Sequence, residues 1–137
     1  MEKRDYLLHQ IQEMGAFLAR LVTRLRKKGQ EQSEQMATVV NELESEVGLD
    51  MDKLLFLDDE GFISVLKEKL LSIDNFENFS ELLEQLGDMA LNNETFLRQQ
   101  IYYTKALLLL NFMEENSQNY SMERQEKIVQ IRLKLNG

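Results

Sequence analysis

The chain has 137 residues, the size of one ordinary domain, and it is 43% hydrophobic and 29% charged, as globular rather than disordered proteins are. It contains no cysteine and no proline, which excludes disulfides and thiolate chemistry and favours uninterrupted helices. The formal net charge of −8 argues against a nucleic-acid partner, because phosphate contacts need a basic surface.

The start of the chain is charged, and polar residues interrupt the apolar ones that follow, so no secretory signal is visible. The longest apolar run, residues 106–110, is far too short to span a bilayer. The lack of cysteine fits a reducing compartment. We therefore expect a cytoplasmic protein without membrane insertion.

Residues 1–29 are predicted to form a long amphipathic N-terminal helix, which covers about residues 4–28 and stops at Gly29. Its apolar residues alternate steps of four and three, which is heptad spacing. We expect this heptad face to be mostly buried within the monomer, while the side near Phe17 would allow a weak homodimer. The heptad positions are Leu7, Ile11, Met14, Leu18, Leu21 and Leu25.

A basic cluster lies at the end of this helix. Residues 1–30 carry a charge of +4, whereas residues 31–60 carry −9. The favoured interpretation is a cationic helix end that complements the helix dipole and pairs with acids of residues 31–60. A contact with an external partner, such as nucleic acid, stays open as the alternative. The cluster consists of Arg24, Arg26, Lys27 and Lys28.

Helical spacing continues through the middle of the chain. A second helix is predicted over residues 32–46, and Gly48 followed by Leu49 is typical of a helix C-terminus. Asp50 is expected to cap a short third helix, and the fourth helix follows Asp58 and its neighbour.

Three helices are predicted in the C-terminal half. Asp74 and Glu77 resemble a capping box that opens the fifth helix. Asn92 or Asn93 is expected to cap the sixth, at about residues 94–115, whose apolar residues on nearly all sides predict a central position. Ser121 is expected to cap the seventh. The prediction is an all-α fold, with residues 1–137 in one single-domain bundle of about six to seven helices.

No catalytic or metal-binding motif is visible. Residues 56–67 resemble a calcium loop only in part, since Phe56 and Lys67 occupy the first and twelfth positions, where oxygen ligands are essential. The only histidine is His9, no Glu-x-x-His pair exists, and no glycine-rich phosphate loop is present. We expect no enzyme activity, no cofactor and no metal ion. An enzyme whose site the sequence does not reveal is the less favoured alternative.

Residues 80–113 carry a pattern of large and small residues on two successive helices. Leu83, Leu86, Gly87 and Ala90 stand at the spacing of the tetratricopeptide motif, and Tyr103 and Ala106 continue it on the second helix. This segment therefore resembles a tetratricopeptide-repeat hairpin, and residues 74–136 would form tetratricopeptide-like helices. The resemblance implies that Gly87 and Ala106 allow a close helix crossing, that Leu83, Leu86 and Tyr103 fill it, and that the small Ala90 belongs to the same crossing.

Tyr102 and Tyr103 stand near two basic residues, as base-stacking tyrosines do, but core packing is the favoured interpretation because the most apolar segment adjoins them. The opening residues 5–11 also resemble the start of an uncharacterised family of small helical bacterial proteins, which implies no function.

Taken together, these features predict a non-enzymatic protein–protein interaction module, an adaptor or regulator, in which the fifth to seventh helices frame a groove for a peptide or helix of an unidentified partner. The alternative is a self-associating structural protein with the first helix as its dimer seam.

Overall fold

The computed structural model describes residues 2–27 and 32–137. Within these ranges it contains seven α-helices and no β-strand, so the predicted all-α bundle is confirmed. None of these helices is long and apolar enough to cross a membrane. The helices are α1 (Glu2–Arg26), α2 (Gln32–Glu42), α3 (Met51–Leu55), α4 (Asp59–Lys69), α5 (Phe76–Asn93), α6 (Phe96–Asn116) and α7 (Met122–Asn136). A π-helical turn, Leu43–Val47, prolongs α2, and a 3-10 turn, Ile73–Asn75, precedes α5.

The hydrophobic core is built around the antiparallel pair α5 and α6. α1 and α2 pack on α5, whereas α3 and α7 pack on α6. Both central helices bury apolar residues over much of their length, which is the pattern expected of helices covered on several sides. Fully buried side chains of this core include Phe76, Phe79, Leu82, Leu83 and Leu86 of α5, Ala106 and Leu109 of α6, Phe62 and Leu66 of α4, and Leu18 of α1.

Two of the predicted helix caps, Asp50 and Ser121, are confirmed, and Asp58, which was expected only to precede the fourth helix, is a third cap. The side chain of Asp50 accepts a hydrogen bond from the backbone N–H of Lys53, and Asp58 does the same for Gly61. Ser121 accepts from the N–H of Arg124 at the start of α7. Each of these bonds satisfies a backbone donor that has no partner within the first turn of a helix.

The predicted end of the second helix is also confirmed. Gly48 adopts the left-handed conformation (φ 75°), which a residue without Cβ reaches at low cost. The N–H of Leu49 donates to the carbonyl of Leu43, and the Leu49 side chain is buried. This is the apolar contact that accompanies a glycine stop.

The predicted starts of two helices are wrong. α5 begins at Phe76 rather than at Asp74, because Ser72 caps the preceding 3-10 turn and its hydroxyl accepts from the N–H of Asp74. α5 then continues to Asn93, so neither asparagine caps α6. Thr95 has the extended backbone of an N-cap residue, and its side chain accepts from the N–H of Arg98.

The heptad face of α1 is buried only in its C-terminal half. Leu18 and Leu21 are buried, in agreement with the prediction, but Leu7 is 48% exposed. The reason is the extent of the covering elements. The side-chain amides of Asn75, just before α5, and Asn78, in its first turn, donate to backbone carbonyls of α1. The bond nearest the start of α1 is the one from Asn75 to the carbonyl of Ile11. Residues 3–9 of α1 are all exposed, so this part of the helix extends beyond the bundle.

The basic cluster pairs with two different elements. Arg24 forms an ion pair with Glu42 of α2, as expected from the acidic stretch 31–60. Arg26 instead pairs with Glu81 of α5, so the expectation was wrong for this residue. Lys28 lies outside the described residues. The end of α1 is thus tied to both α2 and α5.

Candidate functional site

The six residues predicted to form the helix crossing all lie buried on α5 and α6, and Gly87 lies directly against the two tyrosines of α6. A Cβ added there would lie 2.6 Å from the Cε1 atom of Tyr103 and 3.1 Å from the Cβ of Tyr102. The side-chain amide of Gln99 donates to the carbonyl of Gly87 at 2.9 Å. The buried residues are Leu83, Leu86, Gly87, Ala90, Tyr103 and Ala106. They are packing residues with no opening to a ligand.

Neither tyrosine of α6 is available to stack a base. Tyr102 is 1% and Tyr103 is 4% exposed. The guanidinium of Arg98 lies 5.5 Å from the ring of Tyr102. Burial, together with the negative charge of Glu94 and against the opposing effect of Arg98, raises the pKa of Tyr102 to about 12. The tyrosines therefore belong to the core, as favoured from the sequence.

The hydroxyl of Tyr103 connects the crossing to a row of charged groups. It donates a hydrogen bond of 2.6 Å to Asp88 on α5. Burial and the Asp88 carboxylate both raise the pKa of Tyr103, so its hydroxyl stays a donor. Asp88 also accepts from Lys134 of α7 at 2.9 Å.

A line of ion pairs, here called the α5–α7 ladder, joins these two helices along one face. The acids of α5 are spaced by four, three and four residues, which places them on one side of the helix. Three cations of α7 reach across to them. The pairs are Arg124 with Glu77 (2.6 Å), Lys127 with Glu81 (2.9 Å) and Glu84 (3.0 Å), and Lys134 with Glu84 (2.7 Å) and Asp88 (2.9 Å).

Arg124 is the most buried cation of the ladder. Its side chain is 4% exposed, and its guanidinium also pairs with Glu114 of α6 and donates to the carbonyl of Asn119 at 2.9 Å. Burial lowers the pKa of Arg124, but the hydrogen bonds to Glu114 and Glu77 outweigh this effect and raise it. Removing one partner of such a group leaves a buried charge uncompensated. Arg124 therefore fixes the start of α7 to α5 and α6.

Glu81 is the point where three helices meet. It pairs with Lys127 of α7 and with Arg26 of α1. Burial raises its pKa, but the hydrogen bonds and charges of Lys127 and Arg26 outweigh burial and lower it. This carboxylate is stabilised in its charged form.

A groove of about 340 Å³ lies between α5 and α7, with Ser80 and Leu110 among the residues that line it. Five carboxylates and two cations line it, an excess of three negative charges. Both cations belong to the ladder. Glu123 and Glu126 are exposed and form no ion pair with any described residue. The charged lining residues are Glu77, Glu81, Glu84, Glu123, Glu126, Arg124 and Lys127.

The outer side of α7 carries a line of exposed apolar side chains, here called the α7 stripe. Met122 is 66%, Val129 is 54% and Leu133 is 66% exposed. An open depression of about 420 Å³ lies along the start of the stripe and shares Glu126 and Gln130 with the groove. The groove and the stripe are thus neighbours on one helix.

The remaining polar residues singled out from the sequence do not form a site. His9 pairs with Glu13 one turn away, and both are exposed. Asp58 of the segment compared with a calcium loop is the N-cap of α4. Over residues 2–27 and 32–137, no group of three or more His, Cys, Asp or Glu side chains could hold a metal ion.

Comparison of this chain with family models, curated proteins and solved structures finds no match. The tetratricopeptide-like pattern therefore stays a resemblance of residues 80–113, and the candidate site stands on its geometry alone.

We predict that any side chain at Gly87 destabilises the fold. Gly87→Ala should lower the free energy of unfolding by about 1–3 kcal/mol, because the Tyr103 ring must move and strain its bond to Asp88. Gly87→Leu should lower the free energy of unfolding further. Urea denaturation measures both, with Ala37→Leu on the exposed side of α2 as the control. A Gly87→Ala protein more stable than the wild type, as at an exposed helix position, would contradict this packing.

We predict that the Glu81 ion pairs lose their stabilising effect in acid. The folded-state pKa of Glu81 is below its usual value, so its contribution is present above the unfolded-state pKa and is lost as pH falls through the folded-state pKa. Urea denaturation at several pH values compares the wild type with Glu81→Gln. The wild type should be more stable at neutral pH, and the difference should shrink in acid. A difference independent of pH would show that Glu81 acts through packing and not through charge.

Proposed function

We propose that this protein is a non-enzymatic helical protein–protein interaction module, an adaptor or regulator, that binds a peptide or helix of a protein partner at the groove between α5 and α7. The observation that carries the proposal is the groove itself, which is open and lined by polar side chains of two helices. Clefts between packed helices are common places for a partner helix to bind.

The chemistry of the groove favours binding over catalysis. A general acid or base works best with a pKa near the operating pH. Here the pKa of Glu81 is lowered and the pKa values of Lys127 and Lys134 are raised, since their hydrogen bonds to Glu81, Glu84 and Asp88 outweigh burial. These groups are fixed charges that hold α7 in place and shape the groove.

The two walls of the groove are joined by ion pairs in the absence of a partner. Within the groove, Arg124 pairs with Glu77, and Lys127 pairs with Glu81 and Glu84. A preformed site loses less conformational entropy on binding than one that must be ordered. We include a cytoplasmic location in the proposal, which the absence of cysteine favours.

We predict that filling the groove abolishes partner binding without unfolding the protein. Gln130 lines the groove and is exposed, so Gln130→Trp should block an occupant at little cost in stability. The matched control is Asn41→Trp on the exposed side of α2. The measurement is affinity capture from a lysate of the source cells, with the melting temperature of each variant. If the Gln130→Trp variant captures as much of each partner as the Asn41→Trp control does, binding at this groove is refuted.

Self-association through α1 is the second candidate, because the start of this helix extends beyond the bundle. Tyr6 is 64%, Leu7 is 48% and Leu8 is 49% exposed. If this segment is a dimer seam, sedimentation equilibrium should show a dimer that the double variant Leu7→Glu/Leu8→Glu converts to monomer. A wild-type chain that is monomeric up to the highest soluble concentration would eliminate this candidate.

A further inference from the structure

Two different surfaces of α7 lie side by side and face solvent. Glu126 is four residues after Met122 and three before Val129, so it stands at the edge of the α7 stripe. The same residue lines the groove toward α5, as does Gln130, four residues further on. A partner that covers the stripe therefore has the acidic groove directly beside it.

The charges on the groove side of the α7 stripe are unbalanced, whereas the exposed Arg132 lies on the opposite side of the stripe. Each cation of the α5–α7 ladder already forms ion pairs with two carboxylates. Glu123 and Glu126 have no such cation among the described residues, and both are exposed. An incoming ammonium or guanidinium group would meet free carboxylates here, and an incoming phosphate or carboxylate would be repelled.

The spacing of the stripe fits a helix. Met122, Val129 and Leu133 are seven and four residues apart, so they lie on one line about 17 Å long at 1.5 Å per residue. α7 offers no free strand edge for an extended peptide, so recognition must use side chains. An amphipathic helix presents apolar side chains with the matching period.

We propose that the occupant of this surface is a cationic amphipathic helix of a protein partner. Its apolar side covers the α7 stripe, and its lysine or arginine side chains enter the groove beside Glu126. This inference rests on the proposed function, since it names the chemistry of the partner that the groove accepts.

The exposed apolar segment at the start of α1 does not have the required charge. Residues 2–13, which include the exposed Leu7 and Leu8, contain three acids and two bases, so this segment is not cationic. A second copy that presented it would bring no net positive charge to the acidic groove. Charge complementarity therefore favours a different protein over a second copy that binds through α1.

The test uses the full chain and three labelled synthetic peptides of about 18 residues, or five helical turns. The first peptide has leucines at helical spacing with lysines on one flank, the second has glutamate in place of lysine, and the third has the first composition in scrambled order. Fluorescence anisotropy should show binding of the first peptide, at least about tenfold tighter than the others, with affinity that falls as salt is raised.

Variants separate the two parts of the surface. Glu126→Lys should weaken binding of the lysine peptide by about tenfold or more and should improve binding of the glutamate peptide. Val129→Glu should weaken binding of the lysine peptide even though it adds a negative charge, because it disrupts the apolar contact with the α7 stripe. The control is Glu44→Lys, the same charge change at an exposed site on the π-helical turn. Melting temperatures establish that each variant is folded.

Three results would overturn the inference. Equal binding of the scrambled peptide would show nonspecific attraction between charges. If the lysine peptide does not bind but Gln130→Trp still abolishes capture from lysate, the cationic helix is refuted and the proposed function stands. If the lysine peptide does not bind and Gln130→Trp has no effect on capture, both the cationic helix and the proposed function are refuted. A dimer that Val129→Glu converts to monomer would show that a second copy covers the stripe.

Discussion

The contact between Gly87 and the ring of Tyr103 is the constraint on which the rest of the structure depends. Because Gly87 has no side chain, α6 can cross α5 with the tyrosine ring against its backbone. The ring then delivers its hydroxyl to Asp88, which also receives Lys134 of α7. The same close crossing brings the carbonyl of Ala106 to the buried hydroxyl of Ser80, at 2.9 Å. The crossing of α5 and α6 is thus linked to α7 through the shared Asp88 carboxylate.

α7 is held by two kinds of interaction with different consequences. Ile128 and Ile131 are buried in the core, which provides stability in proportion to the apolar area removed from water. The α5–α7 ladder adds ion pairs whose desolvation offsets much of their attraction, so its main effect is on orientation. An apolar contact tolerates sliding and rotation, whereas Arg124 must meet Glu77 and Glu114 together. The ladder therefore selects one placement of α7 among several that the apolar core would accept.

Much of the fold follows from local features of the sequence, and the candidate site does not. Apolar spacing reveals the helices, and a cap such as Asp58 acts on a residue three positions away, so both are visible in a short window. Periodicity places Leu7 and Leu18 on one face but carries no information on how far neighbouring helices extend along it, which is why only Leu18 is buried. The ladder joins residues more than forty positions apart, such as Glu77 and Arg124. Acids on α5 and cations on α7 are each ordinary on a helix surface, and only the packing of both on α6 brings them together.

The distribution of side chains around α7 bears on function because folding uses only part of this helix. Its buried isoleucines and its three ladder cations face the bundle and contact α5 and α6 there. Every cation that α7 directs toward α5 is engaged there, so Glu123 and Glu126 are the free charges on the groove side of the α7 stripe, and the exposed Arg132 lies on its other side. Single exposed apolar residues are normal on protein surfaces, but Met122, Val129 and Leu133 lie on one line. Under the proposed function, this line is the part of α7 that the partner helix would bury.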